Sequence, residues 1–431
     1  AEAVHDIAVS GTGALTVTAS DGVQALTVGT TGTNTIDLGA GADTITASAG
    51  TNTITTGLGA DEVTLTTTSN LQTVNVTSEA AVTTVLNATG VGATYAANIV
   101  GSAAGTVLNA TGSTQAVTIT GSAHADTINA GSGVDTITGG DGADEIDGGA
   151  GDDIFIIADE DHHDSGETIV GGADTDTIRF TATDAATLTL DASTVVEKVV
   201  IAAADGTATG TTNESIDASN VTSATAIDLT GNAGDNTLTG NAQINTITGG
   251  AGVDTITGGA GADVLAGGDG DDIFNFADIA EVNADTSLDG GNGTGDTMVI
   301  TAQITGAVDL GTSTAITNVE ALTLTGGSTA AVTLDAAMTS VSLGAAGIVT
   351  LSAAGQDVTG SAGIDTVNTG ALTSLTGSTL ALAGSTDVLN VGVTGADISG
   401  INSGAATTAE TLIISTLAGT SMTAAQLAGF T

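Results

Sequence analysis

The chain contains no cysteine, no proline and no tryptophan, and only two basic residues, Arg179 and Lys198, among its 431 positions. Each absence removes a class of protein. Without cysteine there are neither disulfides nor thiolate metal sites, and cysteine usage carries no mark of a redox compartment. Without proline, long hydrogen-bonded ladders run uninterrupted, because proline would remove a backbone donor. Aromatic residues make up 1% of the chain, so thin, repetitive packing of Ala, Val, Ile and Leu is expected in place of a bulky aromatic core. Two bases cannot form a basic patch, and a formal charge of -47 repels phosphates and anionic headgroups, which excludes nucleic acid as a partner. Apolar runs are broken by Thr, Ser, Gly or Asp well before a membrane-spanning length, so no transmembrane helix is expected. The opening residues, AEAVHDIAVSGTG, lack the basic segment and apolar run of a signal peptide.

What the chain has in quantity is acid and glycine: 49 Asp and Glu, and 63 Gly. They recur at a fixed interval of nine. From Gly231 the frames read GNAGDNTLT, GNAQINTIT, GGAGVDTIT, GGAGADVLA and GGDGDDIFN without a gap. From Gly121 they read GSAHADTIN, AGSGVDTIT, GGDGADEID and GGAGDDIFI, and a weaker block from Gly29 reads GTTGTNTID, LGAGADTIT, ASAGTNTIT and TGLGADEVT. Each frame joins a glycine-rich turn ending in Asp or Asn to a short strand whose central apolar residue points inward while its neighbours point outward. So short a strand forms one rung of a solenoid and not an independent hairpin. Two rungs per coil give an eighteen-residue coil, with coils stacked ~4.8 Å apart.

This stacking brings equivalent acids into columns: Asp43 over Asp61, Asp126 over Asp144, Asp135 over Asp153 and Asp254 over Asp272. Two carboxylates at that spacing repel by about 1 kcal/mol in water and about 3–4 kcal/mol at an effective dielectric of about 20. A divalent cation between coils reverses the sign. Calcium suits the donor set, because it accepts six to eight oxygens in flexible geometry, whereas magnesium demands a tight octahedron and zinc prefers His or Cys.

In these contiguous frames the chain resembles the repeats-in-toxin (RTX) proteins, whose nonapeptide G-G-x-G-x-D-x-U-x builds a calcium-bound β-roll. The resemblance implies an all-β, right-handed parallel β-solenoid (β-helix or β-roll) with calcium-binding nonapeptide turns. It also implies that calcium is ligated by the turn aspartates and by carbonyls of the glycine turns. That role falls on Asp126, Asp135, Asp144, Asp153, Asp254, Asp263 and Asp272, and on Asp43 and Asp61 in the first block. Asp176, Asp296 and Asp365 stand in related Gly/Asp segments and extend the ligand set. Where the frame departs from its pattern, fewer ions are expected: Asn34 stacks on Asn52 as a neutral amide ladder, and Asn236 and Asn245 face Asp254 and Asp263.

The phrases GVDTITGG and DDIF each occur twice at one constant offset, which marks a duplicated module. The expected organisation is a β-solenoid over 1–120 with a degenerate block at 29–64, a β-roll over 121–180 and a connecting β-helical segment over 181–230. The duplicate roll covers 231–300, and a C-terminal solenoid covers 301–431. TVLNATG recurs at Thr84 and Thr106, an interval that suits longer coils. Phe155, Phe180, Phe274 and Phe276 read as plugs closing a roll end, and TSMTAAQLAGF as a short capping helix.

For function, the chain offers no HExxH, no GxSxG and no nucleophilic Cys, so a non-catalytic protein is expected. The acidic DEDHHD segment, Asp159–Asp164, reads as a solvated loop, since adjacent His162 and His163 diverge on an extended chain. Low complexity and strand-rich segments between RTX blocks resemble a surface-layer protein or a self-assembling extracellular filament subunit of a Gram-negative bacterium. Its export by type I secretion and its calcium-dependent folding follow from that resemblance. The expected partners are other copies of the chain, with a cell-surface polysaccharide as a further candidate. The alternatives are an adhesin stalk, an ice-binding module carried by outward Thr-x-Thr pairs, or the calcium-binding part of a larger secreted enzyme or toxin.

Overall fold

A computed structural model describes residues 5–19, 21–66, 72–77, 83–88, 95–100, 107–159, 162–163, 166–203, 205–312, 316–372, 374–375, 377–382, 386–392, 402–403 and 411–416. The C-terminal segment read as a capping helix lies outside them. The chain divides into two units, Ala1–Asn232 and Ala233–Thr431.

In both units the strands are short, and each pairs in parallel with the equivalent strand of the next coil. In the first unit Thr127–Asn129 lies against Glu145–Ala150, with Thr127 opposite Glu145 and Ile128 opposite Ile146. On the other face Thr136–Thr138 lies against Ile154–Ile157, with Ile137 opposite Phe155. The second unit repeats the scheme: Ile247 stands opposite Leu265, and Ile256 opposite Phe274. Consecutive strands therefore alternate between facing sheets, and the sequence interval fixes the register. Both units are all-β parallel solenoids, as the nine-residue frame requires. Val107 departs from the register implied by the TVLNATG phrase, pairing with Thr83 and not with Val85.

The core is a stack of single apolar side chains. Thr136–Thr138 and Thr255–Thr257 each bury only their central isoleucine, and Ile128, Ile137, Ile247 and Ile256 are all buried. Each such side chain contributes roughly 1.5–3 kcal/mol relative to exposure. The column of one apolar residue per rung replaces the large aromatic core that this composition cannot build.

The phenylalanines do not act as plugs. Phe155 sits between Ile137 and Ile178, and Phe274 between Ile256 and Met298, so strands continue on both sides of each. Phe180 likewise pairs with Ile201 and Phe276 with Ile300. They are ordinary interior rungs that happen to be large.

The helix Ile279–Ala284 has no counterpart in the sequence reading. It starts because the Asp278 side chain accepts hydrogen bonds from the backbone N–H groups of Ala280 and Glu281, and it buries only Val282. It occupies the extra residues of a longer coil and leaves the strands on either side in register.

Candidate metal centre

The turn aspartates face inward at the coil corners, and their carboxylates form ladders. Asp43 Oδ1 accepts the N–H of Gln24 at 2.8 Å, and Asp61 Oδ1 accepts that of Asp43 at 2.9 Å. In the next block the N–H groups of Asp126 and Asp135 donate to Asp144 and Asp153, each at 2.7 Å. In the second unit Asn236 donates to Asp254 at 2.7 Å, Asp254 to Asp272 at 2.8 Å, and Asn245 to Asp263 at 2.8 Å. In each of these pairs one oxygen of the acceptor aspartate is bound to the backbone of the coil before it. The columns expected from the spacing are present, and this N–H bond offsets part of the repulsion between their members.

The other oxygen divides the aspartates into two groups. In Asp126, Asp135 and Asp365 the Oδ2 atom is capped within its own turn. Ser122 N–H donates to Asp126 at 2.8 Å, Gly131 N–H to Asp135 at 3.1 Å, and Ser361 N–H to Asp365 at 2.7 Å. In Asp43, Asp153, Asp176, Asp254, Asp263, Asp272 and Asp296 the Oδ2 atom is buried and accepts no hydrogen bond.

The backbone explains the division. In the open turns the second frame residue is a glycine at positive φ, such as Gly149 at 104° and Gly250 at 124°, and that peptide no longer directs its N–H at the carboxylate. Ser122, Gly131 and Ser361 lie outside that region and keep the cap. The first glycine of the frame serves a different need. A Cβ on Gly258 would stand 2.5 Å from Asp263 Oδ2, and one on Gly249 would stand 2.6 Å from the carbonyl oxygen of Gly267. The missing side chain leaves a space faced by one carboxylate oxygen and one backbone carbonyl of the following coil.

Burial raises the carboxyl pKa of Asp43, Asp61, Asp135, Asp153, Asp176, Asp254, Asp263, Asp272, Asp296 and Asp365. Asp153 and Asp254 are pushed up to about 7, chiefly by desolvation and then by neighbouring carboxylates, with Asp135, Asp176 and Asp147 acting on Asp153 and Asp272 and Asp235 on Asp254. Asp61, Asp176 and Asp272 rise to about 6 for the same leading reason. Because the folded pKa values lie above the unfolded value of about 3.9, protonation favours the calcium-free fold below about pH 4, and that stabilisation is lost as the pH rises through 6 to 7. Calcium-stripped protein is therefore expected to melt at a higher temperature at pH 5.5 than at pH 8. Calcium-saturated protein should show the opposite order, since protons then compete with the ion. Thermal scans of both forms at the two pH values check the inversion.

The amide ladder is also in place, with Asn34 Nδ2 donating to Asn52 Oδ1 at 2.7 Å, so one column of the first block offers neutral groups. Several ladder acids lie outside the repeat reading. Asp263 N–H donates to Asp285 at 3.0 Å, Asp365 N–H to Asp387 at 2.9 Å, Asp176 N–H to Glu197 at 2.9 Å and Asp296 N–H to Glu320 at 3.1 Å. Coils of irregular length carry these residues, so counting by nine passes over them. The one available signal was the pair of segments VVEK and NVEA, each placing an acid immediately before a strand after a repeat block.

The two adjacent histidines take different partners, but the segment is not the solvated loop expected, because the His163 side chain is buried against buried Glu167. His162 Nε2 lies 3.0 Å from Asp141, and buried His163 Nδ1 lies 3.2 Å from Glu167. Among the described residues no three His, Cys, Asp or Glu side chains gather into a metal-holding group. A cation at the ladders would complete its shell from backbone or water oxygen, which suits a hard ion of variable coordination. No helix among the described residues is long and apolar enough to cross a membrane.

The family model for the RTX calcium-binding nonapeptide repeat, in four copies, matches residues 28–63, 110–137, 120–155, 230–265 and 248–277. The β-solenoid thus carries RTX repeats, which bind calcium, and it carries them in multiple copies. No curated protein matches the chain significantly.

Proposed function

We propose that this chain is a calcium-dependent, self-assembling extracellular structural protein, a surface-layer or filament subunit of a Gram-negative bacterium that folds after export. The observation that supports it most is the set of buried carboxylate oxygens without hydrogen-bond partners, repeated coil after coil in a chain of net charge -47. In this reading Asp43, Asp153, Asp176, Asp254, Asp263, Asp272 and Asp296 present their open oxygens to calcium. Asp61 and Asp144 contribute from the same columns, and Asp126, Asp135 and Asp365 hold turn geometry with one oxygen already capped. The first block takes up fewer ions because Asn34 and Asn52 occupy one of its columns.

Calcium neutralises the columns and fixes the spacing of coils. At submicromolar cytosolic calcium the acidic chain remains expanded and suited to type I secretion, and at millimolar calcium outside the cell it folds. Parallel sheets end in unpaired N–H and C=O groups, and such edges supply the chemistry for joining copies of the chain. The protein acts as a scaffold and catalyses nothing.

Electron microscopy of calcium-loaded protein tests the assembly half of this reading. Ordered sheets or filaments that disperse on chelation are expected. Monodisperse single particles at millimolar calcium would favour the adhesin stalk instead.

A further inference from the structure

We propose that the second and third repeat blocks are each closed by an additional divalent-cation site outside the nonapeptides, formed by Asp176 with Glu197 after the second and by Asp296 with Glu320 after the third. The proposal rests on the calcium reading of the ladders and extends it to residues that no repeat covers, since the matched repeats end at residues 155 and 277.

The ladder does not stop where the repeats stop. Thr177 pairs with Lys198 and Thr297 with Ala321, which sets Glu197 and Glu320 one coil beyond Asp176 and Asp296 in the same register. Each glutamate takes over the role of the next ladder aspartate, accepting the N–H of Asp176 at 2.9 Å or of Asp296 at 3.1 Å. The coils that carry them lack the glycine turn, and the extra methylene of glutamate provides the reach. Asp176 and Asp296 are each 0% exposed, and the Oδ2 atom of each has no hydrogen-bond partner. In both copies, therefore, an aspartate with a buried, unsatisfied carboxylate oxygen is hydrogen-bonded through its N–H to a glutamate of the next coil.

The backbone supplies a further donor. Asn318, at φ 53°, is one of two non-glycine residues with positive φ among the described residues. Its carbonyl oxygen points at the place a Cβ on Gly290 would take, and Asp296 Oδ2 stands 2.7 Å from that same place. The other such residue is Asp174, at φ 82°, in the turn that holds Asp176. Carboxylate and carbonyl oxygens without nitrogen or sulfur select a hard cation, and an irregular cage favours calcium over magnesium. These ions would clamp the first non-repeat coil onto each of these two blocks, so the repeats also organise chain that lacks the motif.

The test is calcium stoichiometry of the full chain by native mass spectrometry, with Glu197→Gln, Glu320→Gln and the double variant. Glutamine keeps an oxygen to accept the aspartate N–H while removing the charge. Each single variant is expected to bind one ion fewer than wild type and the double variant two fewer, with unchanged circular dichroism in calcium. A double variant with the full complement and unchanged affinity would overturn this proposal while leaving the repeat sites intact. A wild-type chain that bound no calcium would overturn both. Should the variants fail to fold, an anomalous map of wild type decides: a peak between Asp296 and Glu320 supports the site, and its absence beside occupied repeat turns refutes it.

Discussion

Chelation of calcium from the folded chain at pH 8 is expected to lower its melting temperature sharply and to weaken its β-sheet circular dichroism, and restoring millimolar calcium should reverse both. The size of the effect follows from linkage. An ion present at a hundred times its dissociation constant stabilises the folded state by about 2.7 kcal/mol, so four such sites contribute about 11 kcal/mol. A domain of ordinary stability has about 5–15 kcal/mol in total. Removing the ions also restores repulsion among acids held one coil apart and leaves the open oxygens buried without partners, each at a cost of about 1–3 kcal/mol. Apolar columns of one side chain per rung are too thin to offset this. Calorimetry and circular dichroism with and without chelator measure the difference directly.

Gly268→Ala is expected to be strongly destabilising. Gly268 has φ +122°, a region that costs an L-residue about 1–3 kcal/mol. An added Cβ would also collide with the carbonyl oxygen of Gly250 in the coil before, and would stand 2.9 Å from its carbonyl carbon. Overpacking of this kind costs about 1–3 kcal/mol more, because the coils are hydrogen-bonded and cannot separate locally. A total loss of about 2–6 kcal/mol in calcium-saturated protein is expected, together with weaker calcium binding at the adjoining ladder. Gly306→Ala is the matched control. Nothing lies within 4 Å of its Cβ position and its φ is not positive, so the same substitution there should be neutral or slightly stabilising. Chemical denaturation of both variants separates a requirement for glycine at the corner from a general effect of the exchange.

Much of the architecture was legible in the sequence because one interval controls it. A period of nine with a single inward apolar residue dictates short strands, and the strands dictate the stacking of Asp126 on Asp144 and of Asn34 on Asn52. The division between capped and open aspartates was not legible. Asp135 follows a glycine pair of the right general kind, AGSG, yet Gly131 keeps an ordinary φ and its N–H reaches Asp135. A one-letter pattern contains no torsion angle. The ladder acids Asp285, Glu197 and Glu320 were hidden for another reason: their coils are longer than the repeat, and only the parallel register shows that they fall on the same column. The rarity of phenylalanine gives it no special place in the fold, because a rung accepts Phe or Ile according to what stands above and below it.

The most direct test of the central claim is an anomalous-difference map from crystals grown in calcium. The expected result is density beside the open oxygens of Asp153, Asp254, Asp263 and Asp272, with none along the Asn34–Asn52 column. Well-ordered corners at those four aspartates with no ion present would contradict the account, because the coils would then be held together without the neutralisation on which it depends.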